Sequence, residues 1–113
     1  MSVDLISVPP TATVAEAAQV MSLQHVGAAL VVDADDLVGI FTERDIVRAL
    51  AAEHDAATHD VREWMTKDPV TLEAHTSAQE TLALMLAQGF RHVPVTEAGR
   101  LVGIVSMRDL SIR

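Results

Sequence analysis

The chain repeats itself at one fixed offset, and this constrains its fold more than any single motif does. Leu37-Val38-Gly39-Ile40 recurs 64 residues later as Leu101-Val102-Gly103-Ile104, and Arg44-Asp45 recurs as Arg108-Asp109. The same offset links Val31 to Val95, Gln24 to Gln88, Met21 to Met85, Glu16 to Glu80 and Asp4 to Asp68, without a gap. Similar residues fill in between, among them Ile6/Val70, Ser7/Thr71, Thr13/Ser77 and Thr42/Ser106. The chain of 113 residues therefore reads as two copies of one supersecondary unit, residues 1–57 and 58–113. A stretch rich in Ala, Asp and His, from Glu53 to Asp60, forms the join. Together the two copies make one compact domain, long enough to bury a core without disulfides or metals.

Each copy reads the same way. A short apolar pair comes first, Ile6 and Val8 or Val70 and Leu72. A capping box follows, Thr13-Val-Ala-Glu16 or Ser77-Ala-Gln-Glu80, whose hydroxyl and carboxylate satisfy helix-end N–H groups. Behind it stand apolar residues at helical spacing, with Met21 and Met85 as core fillers. Gly27 and Gly89 are the expected helix stops. Two β-rich runs follow, Ala29 to Val32 with Leu37 to Phe41, and His92 to Thr96 with Leu101 to Val105. Their consecutive apolar positions predict strands covered on both faces. A last helix opens at Thr42-Glu-Arg-Asp45 or Ser106-Met-Arg-Asp109; the second has at most about two turns. A further helix is expected from Asp60-Val-Arg-Glu63 through Trp64 and Met65. The unit is β-α-β-β-α, and one such sheet leaves a face that a second copy can cover.

Composition narrows the function. Half the residues are hydrophobic and only 3% aromatic, so aliphatic side chains fill the core and stacking platforms for single-stranded nucleic acid are scarce. A formal net charge of −8 repels phosphate backbones and anionic lipid, which argues against nucleic-acid and membrane partners. Cysteine is absent, in keeping with a cytoplasmic protein. The five histidines give no zinc spacing, and no Ser/His/Asp set, carboxylate pair or Gly-rich phosphate loop suggests catalysis.

The order of elements, the strand Arg91-His92-Val93-Pro94-Val95, the Leu101-Val102-Gly103-Ile104 run, Ser106-x-x-Asp109 and the segment from Met65 to Thr71 together resemble the CBS domain, named after cystathionine β-synthase. The tandem resembles a CBS pair, or Bateman module. Copy one departs from the pattern with Gly27-Ala28-Ala29-Leu30-Val31 where copy two has Arg91-His92-Val93-Pro94-Val95, and the last helix is short. The resemblance implies an α+β fold: a pseudo-twofold repeat of two β-α-β-β-α units, with sheets packed together and helices outside. It implies a stand-alone regulatory module rather than an enzyme, with no required cofactor. The regulatory ligand would be AMP, ADP, ATP or S-adenosylmethionine, held in clefts between the repeats. It also implies a homodimer that acts in trans on a protein the sequence does not identify. Trp64 would add apolar surface to the dimer contact.

The chemistry of the repeated motif agrees with that role. Thr42 and Ser106 fall at helix starts, where N–H groups and the helix dipole favour a phosphate. Asp45 and Asp109 can accept from both hydroxyls of a ribose. Arg44 and Arg108 supply charge for phosphate, and Ile40 and Ile104 offer an apolar surface to a base. By the family pattern, Thr66 and Val70 close the other side of the copy-two base pocket, and Ile6 is the equivalent in copy one. Arg91 and His92 add charge near Ser106, so the Asp109 motif is expected to hold phosphorylated ligands more tightly than the Asp45 motif. The same Ser/Thr-x-x-Asp pattern is also an ordinary capping box that needs no ligand. That leaves a ligand-free dimerisation or docking module as the second reading. A tandem ACT-like domain also begins β-α-β-β-α, but it closes with a further strand that is not found after Leu50.

Overall fold

A helix-end and a hairpin fix each half of the molecule. The computed structural model describes residues 6–111, which pack as two units, Ile6–Pro69 and the residues from Val70 onward. In the first, β1 (Ser7–Val8) is followed by α1 (Val14–Gln24), β2 (Ala28–Asp33), β3 (Asp36–Thr42) and α2 (Glu43–Ala52). Two single-turn 3-10 segments, Ala56–Thr58 and Val61–Glu63, lead to β4 (Thr66–Lys67). The second unit has β5 (Leu72–Glu73), α3 (Ala78–Gln88), β6 (His92–Glu97), β7 (Arg100–Ser106) and a short α4 (Met107–Ser111). The fold is α+β with two mixed sheets, ordered β1-β2-β3-β4 and β5-β6-β7.

The 64-residue offset holds at the level of single hydrogen bonds. Both long helices open with the expected capping box, Thr13 with Glu16 and Ser77 with Glu80. Both hairpins pair antiparallel with the same bulge, between Val31 and Val32 and between Val95 and Thr96. Both close through a two-residue turn with left-handed backbone, Ala34-Asp35 and Ala98-Gly99. Such turns match the twist of the flanking strands. The first residue of α2 donates to the Gly27 carbonyl at 3.0 Å, and the first of α4 to the Arg91 carbonyl at 2.8 Å.

The two halves differ where proline removes a donor. Leu30 N donates to the Ile6 carbonyl at 2.8 Å; its counterpart is Pro94, which has no N–H. In the second unit the pairing starts one position further on, at Leu72↔Val95, and Ala74 N closes it on Thr96. In the first, Pro10 stands at that closing position.

The first core joins Val14, Ala17 and Met21 of α1 to Ala29, Val31 and Phe41 of the hairpin, all nearly inaccessible. The second gathers Met85, Val93, Val95 and Val105. Leu30 and Ala29, on opposite faces of β2, are both buried, as the unbroken apolar run predicts.

Three local expectations are corrected. α1 stops at His25 rather than Gly27; His25 takes the left-handed conformation, φ 58°, and its N–H reaches back to Met21 and Ser22. Histidine is among the few side chains enriched there. The helix expected from Asp60 is a single 3-10 turn. Its N–H groups are used elsewhere, Val61 on the Ala12 carbonyl at 2.8 Å and Arg62 on Pro10 at 3.3 Å, and the chain then extends to pair β4 with β3. That fourth strand is the third difference, because the sequence reading has three per unit. Trp64 lies half-buried against the first core.

Candidate functional site

The repeated motif sits where a strand hands over to a helix. β3 ends at Thr42 in extended conformation, and Thr42 is the N-cap of α2. Its Oγ1 accepts from Asp45 N at 3.3 Å, while Asp45 Oδ2 accepts from Thr42 N at 2.9 Å and from Thr42 Oγ1 at 3.2 Å. This is a complete capping box, in which two backbone donors at the helix end are satisfied reciprocally. The other carboxylate oxygen is also engaged: Asp45 Oδ1 accepts from a guanidinium nitrogen of Arg48 at 2.6 Å. Asp45 is 4% exposed, one of two buried polar residues among those described. Thr81 is the other; its hydroxyl donates to the Ser77 carbonyl one turn back.

Around this motif, Ile40 is buried and Ile6 is half-buried. Arg44 is exposed, and Glu43 next to it carries the opposite charge. β4 brings Thr66 alongside, paired with Ile40 in antiparallel register. The structure therefore seats Thr66 in the first unit, exposed, on the strand next to the Asp45 motif.

In the second unit, β7 ends at Ser106 and α4 begins at Met107. His92 lies directly across from Ser106 in the hairpin register, and Arg91 accepts from Met107 N through its carbonyl. Arg91, His92, Ser106 and Arg108 thus share one end of one hairpin, with Arg91 and Arg108 exposed and His92 half-buried. Ala28 and Gly27 hold the matching positions across from and beside Thr42. Ile104 is half-buried; Val70 is 42% exposed. The Asp109 side chain lies outside what the structure describes. Three residues beyond it the sequence has Ile112, where the first motif has Arg48.

An open groove of about 490 Å³ in the first unit is lined by Pro10, Val38 and Met65 with Asp33, Arg62, Glu63 and Lys67. Its charges are mixed, and it contains none of the predicted residues. No cluster of His, Cys, Asp and Glu among the described residues could hold a metal ion. No helix among them is long and apolar enough to cross a membrane.

Comparison with known proteins decides the family. The profile of the CBS domain matches residues 1–52 and again residues 61–112. The chain belongs to the CBS domain family. It is a tandem CBS pair. A 17.7 kDa protein of Acidianus ambivalens is 43% identical over 106 residues, 92% of this chain; the CBS pair spans 63% of that relative's length. The crystal structure of a CBS-domain protein from Agrobacterium tumefaciens superposes with a TM-score of 0.90 at 38% identity, covering 95% of this chain and 86% of that one. A CBS domain protein of Pyrobaculum aerophilum, solved in complex with AMP, gives 0.88 at 30% identity, covering 96% and 85%. The CBS pair solved with 5′-methylthioadenosine and S-adenosyl-L-methionine gives 0.85 at 27%, covering 98% and 93%.

One contact was legible but not read. Asp45-x-x-Arg48 is an i, i+3 pair of opposite charge on a predicted helix, the spacing at which side chains meet.

Proposed function

We propose that this CBS pair is a non-catalytic regulatory module that binds an adenosine-containing ligand, AMP, ADP, ATP or S-adenosylmethionine, and acts in trans on a partner protein in the cytoplasm. The observation that carries the reading is that related pairs of the same fold hold AMP in one case and S-adenosylmethionine in another. The residues assigned to the stronger site are Ser106, Arg108, Asp109, Ile104, Arg91 and His92, with Val70 toward the base. Support comes from charge: Arg91, His92 and Arg108 gather at one hairpin end, in a chain of net charge −8. A phosphate needs such a local reversal of sign. The first site, Thr42, Arg44, Asp45, Ile40 and Ile6, has Gly27 and Ala28 in place of Arg91 and His92 and adds the acidic Glu43.

A second reading, a docking module with vestigial clefts, is favoured by one observation: the Thr42–Asp45 pair is fully used as a helix cap. Thermal unfolding against AMP, ADP, ATP and S-adenosylmethionine separates the two. A ligand at a hundredfold excess over its Kd adds about 2.7 kcal/mol of stability, a rise of several degrees in Tm. An unchanged Tm with all four sinks the adenosine reading in favour of the docking module.

A further inference from the structure

We infer that Arg48 is an internal competitor for the first site: its guanidinium occupies the carboxylate oxygen that a ribose would need, so the Asp45 motif is closed until that guanidinium moves. The inference rests on the adenosine reading above and deepens it. A diol is bound by a carboxylate through two accepted hydrogen bonds, and a carboxylate offers about four lone-pair positions. In Asp45 two of these, both on Oδ2, are taken by Thr42 N and Thr42 Oγ1. Arg48 takes a third, on Oδ1, at 2.6 Å. With the residue 4% exposed, a ribose cannot reach Asp45 in two-point fashion unless the guanidinium leaves.

Arg48 is well placed to leave. Its side chain is 55% exposed whereas that of Asp45 is 6% exposed, so the arginine end of the bridge can swing into water. The buried carboxylate is costly to leave unpaired, so a ribose must replace the hydrogen bond of the arginine as the guanidinium leaves. At the matching position of the second copy the sequence has Ile112, with Arg113 one residue further on. The duplication thus preserved the acceptor, Asp45 and Asp109, and varied the residue three positions on. Arg48 is a positioning residue that controls access of a ligand to the Asp45 motif.

The test is calorimetry of the full chain with AMP, comparing wild type, Arg48→Met, Asp45→Ala and the Arg48→Met/Asp45→Ala double variant. Met keeps the aliphatic stem and removes the charge. The expected result is that Arg48→Met gains a second AMP site, or tightens a weak one about tenfold, and that the double variant loses the gain. Arg48→Gln, which keeps a neutral donor for the buried carboxylate, is expected to give a smaller gain; it serves should Arg48→Met fail to fold by circular dichroism. An isotherm unchanged or weakened in the Arg48 variants overturns the inference, the weakened case by making Arg48 a ligand contact. Failure of the adenosine reading shows separately, as absence of AMP binding by wild type. A site that appears only in the Arg48 variants would still support the role of Arg48, and none in either would reject both.

Discussion

Gly39 sets the distance between two strands. It pairs with Lys67 across β3 and β4, and a Cβ added to it would run into Met65 Sδ and lie 3.0 Å from the Thr66 carbonyl. The side chain of Met65 could shift, but the carbonyl belongs to the strand itself. Gly39→Ala is therefore expected to destabilise the protein by about 1–3 kcal/mol, the cost of overpacking a closed contact. Chemical denaturation checks it; a loss below about 0.5 kcal/mol would mean that β4 yields. For Asp109, acceptor chemistry sets the order of two variants. Asn keeps one acceptor oxygen and Ala none, so Asp109→Ala is expected to weaken AMP binding more than Asp109→Asn. Losing a hydrogen bond to a charged group costs about 1.5–3 kcal/mol. Equal affinity in both variants, with only thermal stability reduced, would make Asp109 a cap and nothing more.

At the scale of elements, the duplication made the long pieces readable. Two aligned copies supplied two votes on each strand and helix, and α1, α3 and both hairpins appear at the 64-residue offset. What escaped was fixed by tertiary contacts that leave no periodic trace. β4 is two residues long and exists because β3 offers it an edge. The Asp60 turn stays short because its N–H groups serve Ala12 and Pro10. In the candidate site, the capping geometry of Thr42 and Asp45 was readable from spacing, whereas burial of Asp45 depends on how α2 lies on its sheet. The hairpin turns carry their own expectation. Ala34 sits at φ 48°, a region that costs a non-glycine residue about 1–2 kcal/mol and that asparagine tolerates better. Ala34→Asn is expected to stabilise the protein by about 0.5–1 kcal/mol in equilibrium unfolding. A loss of stability would show that the alanine methyl makes a contact worth more than the strain.

For the whole molecule, the exposed apolar side chains of the helices are the outstanding feature. Leu23 of α1, Val47 and Leu50 of α2 and Leu86 of α3 are all more than half exposed. Val47 and Leu50 are three apart and share a helix face. Apolar surface of this kind marks association surfaces, and it fits the homodimer expected of a CBS pair. Sedimentation is expected to give a dimer at micromolar concentration, and Val47→Asp with Leu50→Asp to give a monomer of 12.1 kDa. A monomeric wild type would refute this.

Pro94 moves the bond that ties the entering strand of the second half to its hairpin. The first unit ties its entering strand to the hairpin through Leu30 N, and ties the 3-10 turns back through Val14, Val61 and Arg62. The second unit has no amide at Pro94 and ties its entering strand through Ala74 N to the Thr96 carbonyl instead, at 2.8 Å. Segments with fewer internal hydrogen bonds open at lower free energy, as separate cooperative units. In amide hydrogen–deuterium exchange, the amide of Leu30 should therefore be the slow marker of the first entering strand and that of Ala74 the slow marker of the second. Slowing at Ala74 without a change at Leu30 would then report a nucleotide held at the second hairpin end.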